Sequence, residues 1–368
     1  MRNLITILIS LLIGVTIGKY VISSKDNISS ENKPEQTIKN KIKWKMASTF
    51  PSSLAQIGTL GVRLEDRLKT VSDGNLQIKF FEPGALVPAL EVFDAVSSGA
   101  TDAGWSTPGY WAGKIPALPL FSAVPFGPPA SEYMAWIYHG GGLKLFQEIY
   151  ARHNIHGILC GIIPPEASGW FRNEIKSTED LTGLKMRFFG LGAQVMEKIG
   201  VSTQLIAGGD IFPALELGTI DATEFSMPAI DLELGFYQVA KHYYFPGWHQ
   251  QSTFLELLIN LDKWNSMPEA WQTLFQELAR EYSRRSAELA LEKAEQALRA
   301  LISEGAIVSK LSPREKDVWI NSLPPLGEDW VRRYERKGLP AKRVVVDLMN
   351  GLRAKGIEPM RAWDSEVK

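Results

Sequence analysis

Apolar and polar residues alternate through residues 42–49, IKWKMAST, which predicts a strand with one buried face. Pro51, Ser52 and Ser53 follow as a turn, with a serine placed to cap a helix. Ile57, Leu60, Leu64, Leu68 and Val71 then recur at helical spacing. Asp73-Gly74 closes that helix, and LQIKFF at residues 76–81 reads as the next strand. Strand, helix, strand in this order is the signature of a parallel sheet, so the pattern predicts an α/β fold. The second half changes character. Residues 268–304 contain no glycine, no proline beyond Pro268, and much Ala, Glu, Leu and Arg. One long helix, or two nearly continuous ones, is expected there, ended by Gly305. Leu274, Leu278, Leu289 and Leu291 supply apolar surface that points to bracing of the fold or to contacts in a homodimer. A later amphipathic segment, residues 340–354, carries Val344, Val345, Leu348 and Leu352 along one side.

Two distant stretches share a pattern. Phe93, Ala95, Gly99, Asp102, Ala103, Trp105, Ser106 and Pro108 match Phe212, Ala214, Gly218, Asp221, Ala222, Phe225, Ser226 and Pro228, with one residue near Glu224 extra in the second copy. Each copy reads as a helix, a Gly-x-x-Asp-Ala turn and a strand ending at a proline. They lie too far apart for a solenoid repeat. They fit two similar α/β lobes, with a cleft between them facing the carboxyl ends of the strands, where ligands favour binding.

At the amino end, Arg2 precedes an apolar run over residues 4–18, broken only by Thr6, Ser10 and Thr16. That is the layout of an export signal. The run is short against the roughly 20 residues of a membrane span. Residues 20–22 lengthen it if Lys19 is tolerated, and Thr16-Ile17-Gly18 makes a poor cleavage site. Residues 1–22 are therefore expected to be a signal peptide or an uncleaved anchor. Residues 23–43, polar with little to bury, are expected to form a disordered tether. Residues 44–368 are expected to hold the folded domain, its lobes discontinuous in sequence.

Charge and composition exclude several classes. Forty basic residues balance 41 acidic ones, so no overall field argues for nucleic acid. The single cysteine, Cys160, rules out an internal disulfide and a cysteine-based zinc site, and its apolar surroundings suggest a buried structural thiol. HGGG at residues 139–142 resembles an oxyanion-hole motif but lacks a G-x-S-x-G partner. No Walker motif, H-E-x-x-H or dinucleotide fingerprint is present. The five histidines are scattered; His153 and His156 lack an evident third ligand.

The stretch GLKMRFFGLGAQVMEKIG, residues 183–200, places Arg187 at the end of a short apolar strand, before a Gly-Leu-Gly turn and a helix from about Ala193. A guanidinium fork and the free N–H groups of a helix start both suit a carboxylate, so a ligand carboxylate is expected there. Pairing of Arg187 with a neighbouring acid is the alternative. Glu166, in the turn PPEASGWF, and Glu224, at the extra residue of the repeat, add two more carboxylates. With a ligand carboxylate they exceed one arginine's charge, and a hard cation such as calcium or sodium would restore balance. A simple buried acid–arginine pair is again the alternative. The aromatic loops GWSTPGYWAG and HYYFPGWHQQ offer Trp105, Tyr110, Tyr244 and Trp248 either as pocket walls or as core.

The stretches KWKMASTFPSS, DAGWSTPGYWAGKIPALPLFSAVPFG, SGWFRNEIKSTEDLTGLKMRFFGLGAQVMEKIG and FPALELGTIDATEFSMPAIDLELGFYQVAKHYYFPGWH resemble the extracytoplasmic solute receptors of tripartite ATP-independent periplasmic (TRAP) transporters, DctP type. The branch for 2-oxo acids and lactate is the most similar, and the resemblance spans residues 43–363. It implies a two-lobed periplasmic-binding-protein fold with a ligand cleft and a long bracing helix. It implies a periplasmic receptor without enzymatic activity. Such a receptor binds a small organic acid, a 2-oxo or 2-hydroxy monocarboxylate, and delivers it to a membrane permease. Some relatives dimerise through carboxyl-terminal helices. The arginine of KMRF grips the ligand carboxylate, which implies Arg187. A bridging sodium or calcium ion implies Glu224, the backbone carbonyl of Phe225, and Glu166 as ligands. Members usually carry an amide before GWF and an acid after the PGW turn; here Glu166 and Gln250 hold those places. They usually carry Trp where this chain has Phe225. The expected ligand-contacting set is Arg187, Glu166, Phe225, Trp105, Tyr110 and Gln250, with Glu224, Phe225, Glu166 and Gln250 around the metal. A sensory receptor paired with a histidine kinase is the alternative, and a hydrolase using His139 or Cys160 is a third class.

Overall fold

The computed structural model of the chain describes residues 41–310. The expected signal or anchor at 1–22, residues 23–40 of the expected tether, and the amphipathic segment 340–354 lie outside the described residues; residues 42 and 43, expected at the end of that tether, belong instead to the first strand, where they pair in the sheet. No helix among the described residues is long and apolar enough to cross a membrane.

The strands are β1 (Ile42–Ser48), β2 (Leu76–Phe81), β3 (Ala103–Ser106), β4 (Ile155–Ile163), β5 (Gly169–Phe171), β6 (Lys185–Arg187), β7 (Ser202–Gln204), β8 (Ala222–Thr223), β9 (His242–Tyr244), β10 (Thr253–Asn260) and β11 (Ile307–Ser309). They form two sheets, ordered β2-β1-β3-β10-β4 and β11-β9-β5-β8-β6-β7. In the first, β1 runs parallel to β2 and β3, and β10 runs antiparallel to β3 and β4. In the second, β6 runs parallel to β7 and β8, and β5 runs antiparallel to β8 and β9. The order β7-β6-β8-β5-β9 thus reproduces β2-β1-β3-β10-β4. The chain crosses between the sheets after β4 and after β9, and β11 joins the second sheet at the end. Each lobe is built from discontinuous segments.

The internal repeat has a structural reason. Its helices, Val92–Ser98 and Gly208–Glu216, end near Gly99 and Gly218, whose φ values of 79° and 71° favour glycine. Its strands, β3 and β8, take the same place, between a parallel and an antiparallel neighbour. The aspartates do the same work in each copy. An Asp102 carboxylate oxygen accepts the Lys45 N–H on β1 at 2.9 Å, and one of Asp221 accepts the Lys185 N–H on β6 at 2.9 Å. Each clips the turn to the parallel neighbour.

The helix expected after Ser53 begins later, at Thr59, and runs to Val71 with Leu60, Leu64 and Leu68 buried. Residues 51–58 fold back on themselves first. The Leu54 N–H donates to Pro51 O, and Gln56 sits at φ 60°. A side chain at Gly58 would come within 1.8 Å of Pro51 O, so the loop closes only over glycine. No side chain caps the helix.

The long helix is continuous over Glu269–Ser303, 35 residues or roughly 50 Å. It packs on β4 of one lobe and on the helix Pro228–Leu234 of the other. Its Ser283 and Ser286 hydroxyls accept the N–H groups of Gly161 at 3.0 Å and Ile162 at 2.8 Å, covering the free edge of β4. Leu278 is buried and Leu274 packs on the core, so these residues brace the molecule. The side chains of Leu289 and Leu291 lie outside the described residues.

Candidate functional site

The carboxyl ends of β3, β4, β6 and β8 and the start of β10 converge on one small cavity. One side is polar, with Thr107, Tyr110, Glu166, Arg187, Gln250 and Thr253. The other is apolar, with Phe50, Ile57, Ile163, Phe189, Phe225 and Leu255.

Arg187 ends β6 and is buried. Its Nε donates to Ile206 O at 3.2 Å, and its Nη1 donates to Glu224 O at 2.9 Å and to Glu224 Oε1 at 2.6 Å. Its guanidinium carbon lies 5.1 Å from the Phe225 ring centre and 5.9 Å from that of Phe189. The Phe225 ring is held there by the bare backbone of Gly208, where a Cβ would meet it at 2.7 Å. The helix after Arg187 starts at Gly190, earlier than expected, with Phe189 as its N-cap. The carboxylate that the arginine holds in this structure is Glu224's, so the alternative of an acid–arginine pair is realised. Arg187 nevertheless lines the cavity.

Burial would raise the Glu224 carboxyl. The Arg187 guanidinium, with smaller help from His249 and the Phe189 N–H, reverses this and holds it below the usual carboxylate value. Glu166 goes the other way. Burial, with the Glu224 and Asp231 charges adding to it, pushes its carboxyl well above the usual value. Glu166 Oε1 accepts from the Ser226 hydroxyl at 3.3 Å, whereas Oε2 has no partner. Its backbone is fixed on both sides, the N–H to Gln250 O at 3.1 Å and the carbonyl to the Gly247 N–H at 2.6 Å. Gln250 donates from Nε2 to the Thr253 hydroxyl, and its buried Oε1 has no partner.

His249 was not singled out from the sequence. Its Nε2 lies 3.3 Å from Glu224 Oε2, and ligand atoms of Glu166, Glu224 and His249 all fall within 4.8 Å of one another. The only cue was its place beside Gln250 in the PGWHQQ loop. Among the expected residues, Tyr110 lines the cavity, and burial, opposed by Arg187, pushes its phenol up to about 12. Trp105 does not line it. Its indole N–H donates to Ile57 O at 2.5 Å within the first lobe's core. Tyr244 bonds Ile175 and Trp248 packs at a tilt against Phe126 and Phe188, both away from the cavity wall. His139 is exposed at a helix end, and burial raises the Cys160 thiol, so neither is set up for hydrolysis.

The donor set fits a hard cation. Two buried oxygens without partners, on Glu166 and Gln250, accompany the ionised Glu224. Residues 46–333 match the bacterial extracellular solute-binding proteins of family 7, DctP. The chain belongs to this family. A monocarboxylate 2-oxoacid-binding periplasmic protein of Nostoc sp. is 42% identical over 235 residues, which span 64% of this chain and 64% of that protein. A TRAP transporter solute binding protein from Bordetella bronchiseptica is 35% identical with a TM-score of 0.82, covering 86% of this chain and 93% of that one. It is a mixed occupancy dimer with copurified calcium and picolinate in one site and an apo second site. A TRAP periplasmic solute binding protein from Pseudoalteromonas atlantica, with bound sodium and pyruvate, is 29% identical with a TM-score of 0.81, covering 86% of this chain and 95% of that one. DctP proteins are extracytoplasmic solute receptors rather than enzymes, and the two-lobed α/β fold expected from the sequence is theirs.

Proposed function

We propose that this DctP protein is the periplasmic receptor of a TRAP transporter. It binds a small 2-oxo or 2-hydroxy monocarboxylate together with a sodium or calcium ion and hands the acid to the membrane permease. The observation that carries this reading is the pair of buried, unpartnered oxygens on Glu166 and Gln250, residues that line one small cavity with Arg187, which itself holds the Glu224 carboxylate. Leaving buried acceptors unsatisfied costs about 1–3 kcal/mol each, and a hard cation removes that cost. Glu166, Glu224 and Gln250 would hold the ion, which supplies positive charge for the acid's carboxylate and its neighbouring oxygen. Arg187 keeps Glu224 ionised and presents a cationic wall to the ligand. Phe50, Ile57, Ile163 and Leu255 form the apolar side that suits a short hydrocarbon tail. The ions and acids bound by the Bordetella and Pseudoalteromonas relatives support the same reading.

Two finer points go with it: tethering through residues 1–22, checked by membrane fractionation, and a homodimer, checked by sedimentation of the chain without residues 1–43. The function itself is tested by a calorimetric screen of 2-oxo and 2-hydroxy acids, with and without sodium or calcium. Binding of at least one such acid is expected, and no binding in any condition would overturn the proposal.

A further inference from the structure

Outside the cavity, one buried arrangement occurs once in each lobe. In the first, Glu256 on β10 accepts from Trp111 Nε1 at 2.6 Å and from the Tyr150 hydroxyl at 2.5 Å. In the second, Asp231 Oδ2 accepts from Trp170 Nε1 and from the Tyr243 hydroxyl, both at 3.1 Å. Asp231 Oδ1 also accepts the Ser226 N–H at 3.1 Å. All six side chains are buried.

The two clusters occupy matching places. Trp111 lies three residues beyond Pro108, and Asp231 three beyond Pro228, the prolines that end the two copies of the repeat. Each bonds to the antiparallel neighbour of its repeat strand: Trp111 to Glu256 on β10, Asp231 to Trp170 on β5. Donor and acceptor have changed places between the lobes, but the tie is the same. The turn tied in the first lobe carries Thr107 and Tyr110, and the turn tied in the second carries Phe225 and Ser226, all on the cavity wall. Burial pushes both carboxyls up to about 8, well above the usual carboxylate range. A buried acid is a costly way to fill a core, whereas a directional bond fixes the phase of a turn.

We propose that Glu256 and Asp231 are positioning residues for the ligand cavity, each tying the turn that leaves a repeat strand to the neighbouring strand and so setting one wall. This rests on the reading of the cavity as the binding site. The test compares Glu256→Leu and Asp231→Leu with Glu256→Gln and Asp231→Asn, and adds Trp111→Phe in case a leucine variant does not fold. Amide hydrogen exchange of the ligand-free proteins is measured over residues 107–112 and 225–228, alongside calorimetric affinity for pyruvate with calcium. The leucine and phenylalanine variants should exchange about tenfold faster in the tied turn of their own lobe, with β1 and β6 unchanged, and bind pyruvate about tenfold more weakly. Glu256→Gln keeps an acceptor for Trp111 and can donate to the Tyr150 hydroxyl, so it should restore both; Asp231→Asn keeps the acceptor for Trp170 and Tyr243 but sets an N–H against the Ser226 N–H, so it should restore them only in part. Unchanged exchange in the tied turns, or failure of Glu256→Gln to restore it, overturns the positioning role. If the native protein binds no pyruvate, the proposed function is what fails for that acid, and the exchange result still decides the positioning role.

Discussion

Arg187 shows what a single residue reveals and conceals. Its type and place pointed to carboxylate chemistry, and the structure does set a carboxylate against it, that of Glu224 at 2.6 Å. Which carboxylate it meets depends on β8 lying beside β6, a tertiary fact that no local pattern carries. His249 was missed for the same reason, since only the fold brings it to Glu224. Trp105 and Tyr110 lie in one aromatic stretch, yet only Tyr110, in the turn beyond β3, reaches the cavity, because β3 turns the Trp105 ring into the lobe's core. Arg187→Lys should therefore weaken acid binding strongly. An ammonium cannot hold Glu224 and serve the cavity through a planar fork, and the loss of a buried charge-assisted contact costs about 2–5 kcal/mol. Calorimetry with pyruvate and calcium checks this; unchanged affinity would remove Arg187 from the site.

At the scale of elements, the sequence was most informative where periodicity was local. β1, β2, the repeat and the long helix follow from apolar spacing, and the paired Gly-x-x-Asp-Ala turns follow from a backbone need met twice. The start of the helix Thr59–Val71 was not legible, because residues 51–58 satisfy their backbone groups within a loop rather than by a side-chain cap. The return of β10 to the first sheet was equally hidden, since strand partners far apart in the chain leave no periodic trace. The buried acid on β10 gives a pH prediction. Glu256 has a folded pKa of about 8, above its ordinary value of 4.5. The folded state therefore holds the proton more tightly. The associated stability is fully present below about pH 4.5 and is lost as pH rises through about 8, with a limiting slope near 1.4 kcal/mol per pH unit. Glu256→Gln should flatten that decline. Melting temperatures across this range would show it, and parallel curves for the two proteins would contradict it.

For the whole molecule, the two lobes meet at the cavity wall. Gly109 and Tyr110 of the first face Phe189 of the second, and the Tyr110 and Phe189 rings stand edge to face at 5.2 Å. A Cβ at Gly109 would come within 2.2 Å of Phe189 Cζ. Gly109→Ala should hold the lobes apart and weaken acid binding without touching the ligand. Small-angle scattering should show the native protein contracting with pyruvate and calcium and the variant contracting less. Identical profiles for the native protein in both states would count against hinge closure.

The central claim is that acid and cation bind as one unit over Glu166, Glu224 and Gln250. The most direct measurement is a calorimetric titration of pyruvate in a chelated, sodium-free buffer, repeated with calcium and then with sodium restored. At least one ion should tighten pyruvate binding by about tenfold or more, and pyruvate should tighten that ion's binding by the same factor, as linkage requires. The same affinity in all three conditions would contradict the account and leave Glu166 and Gln250 as ordinary buried polar groups.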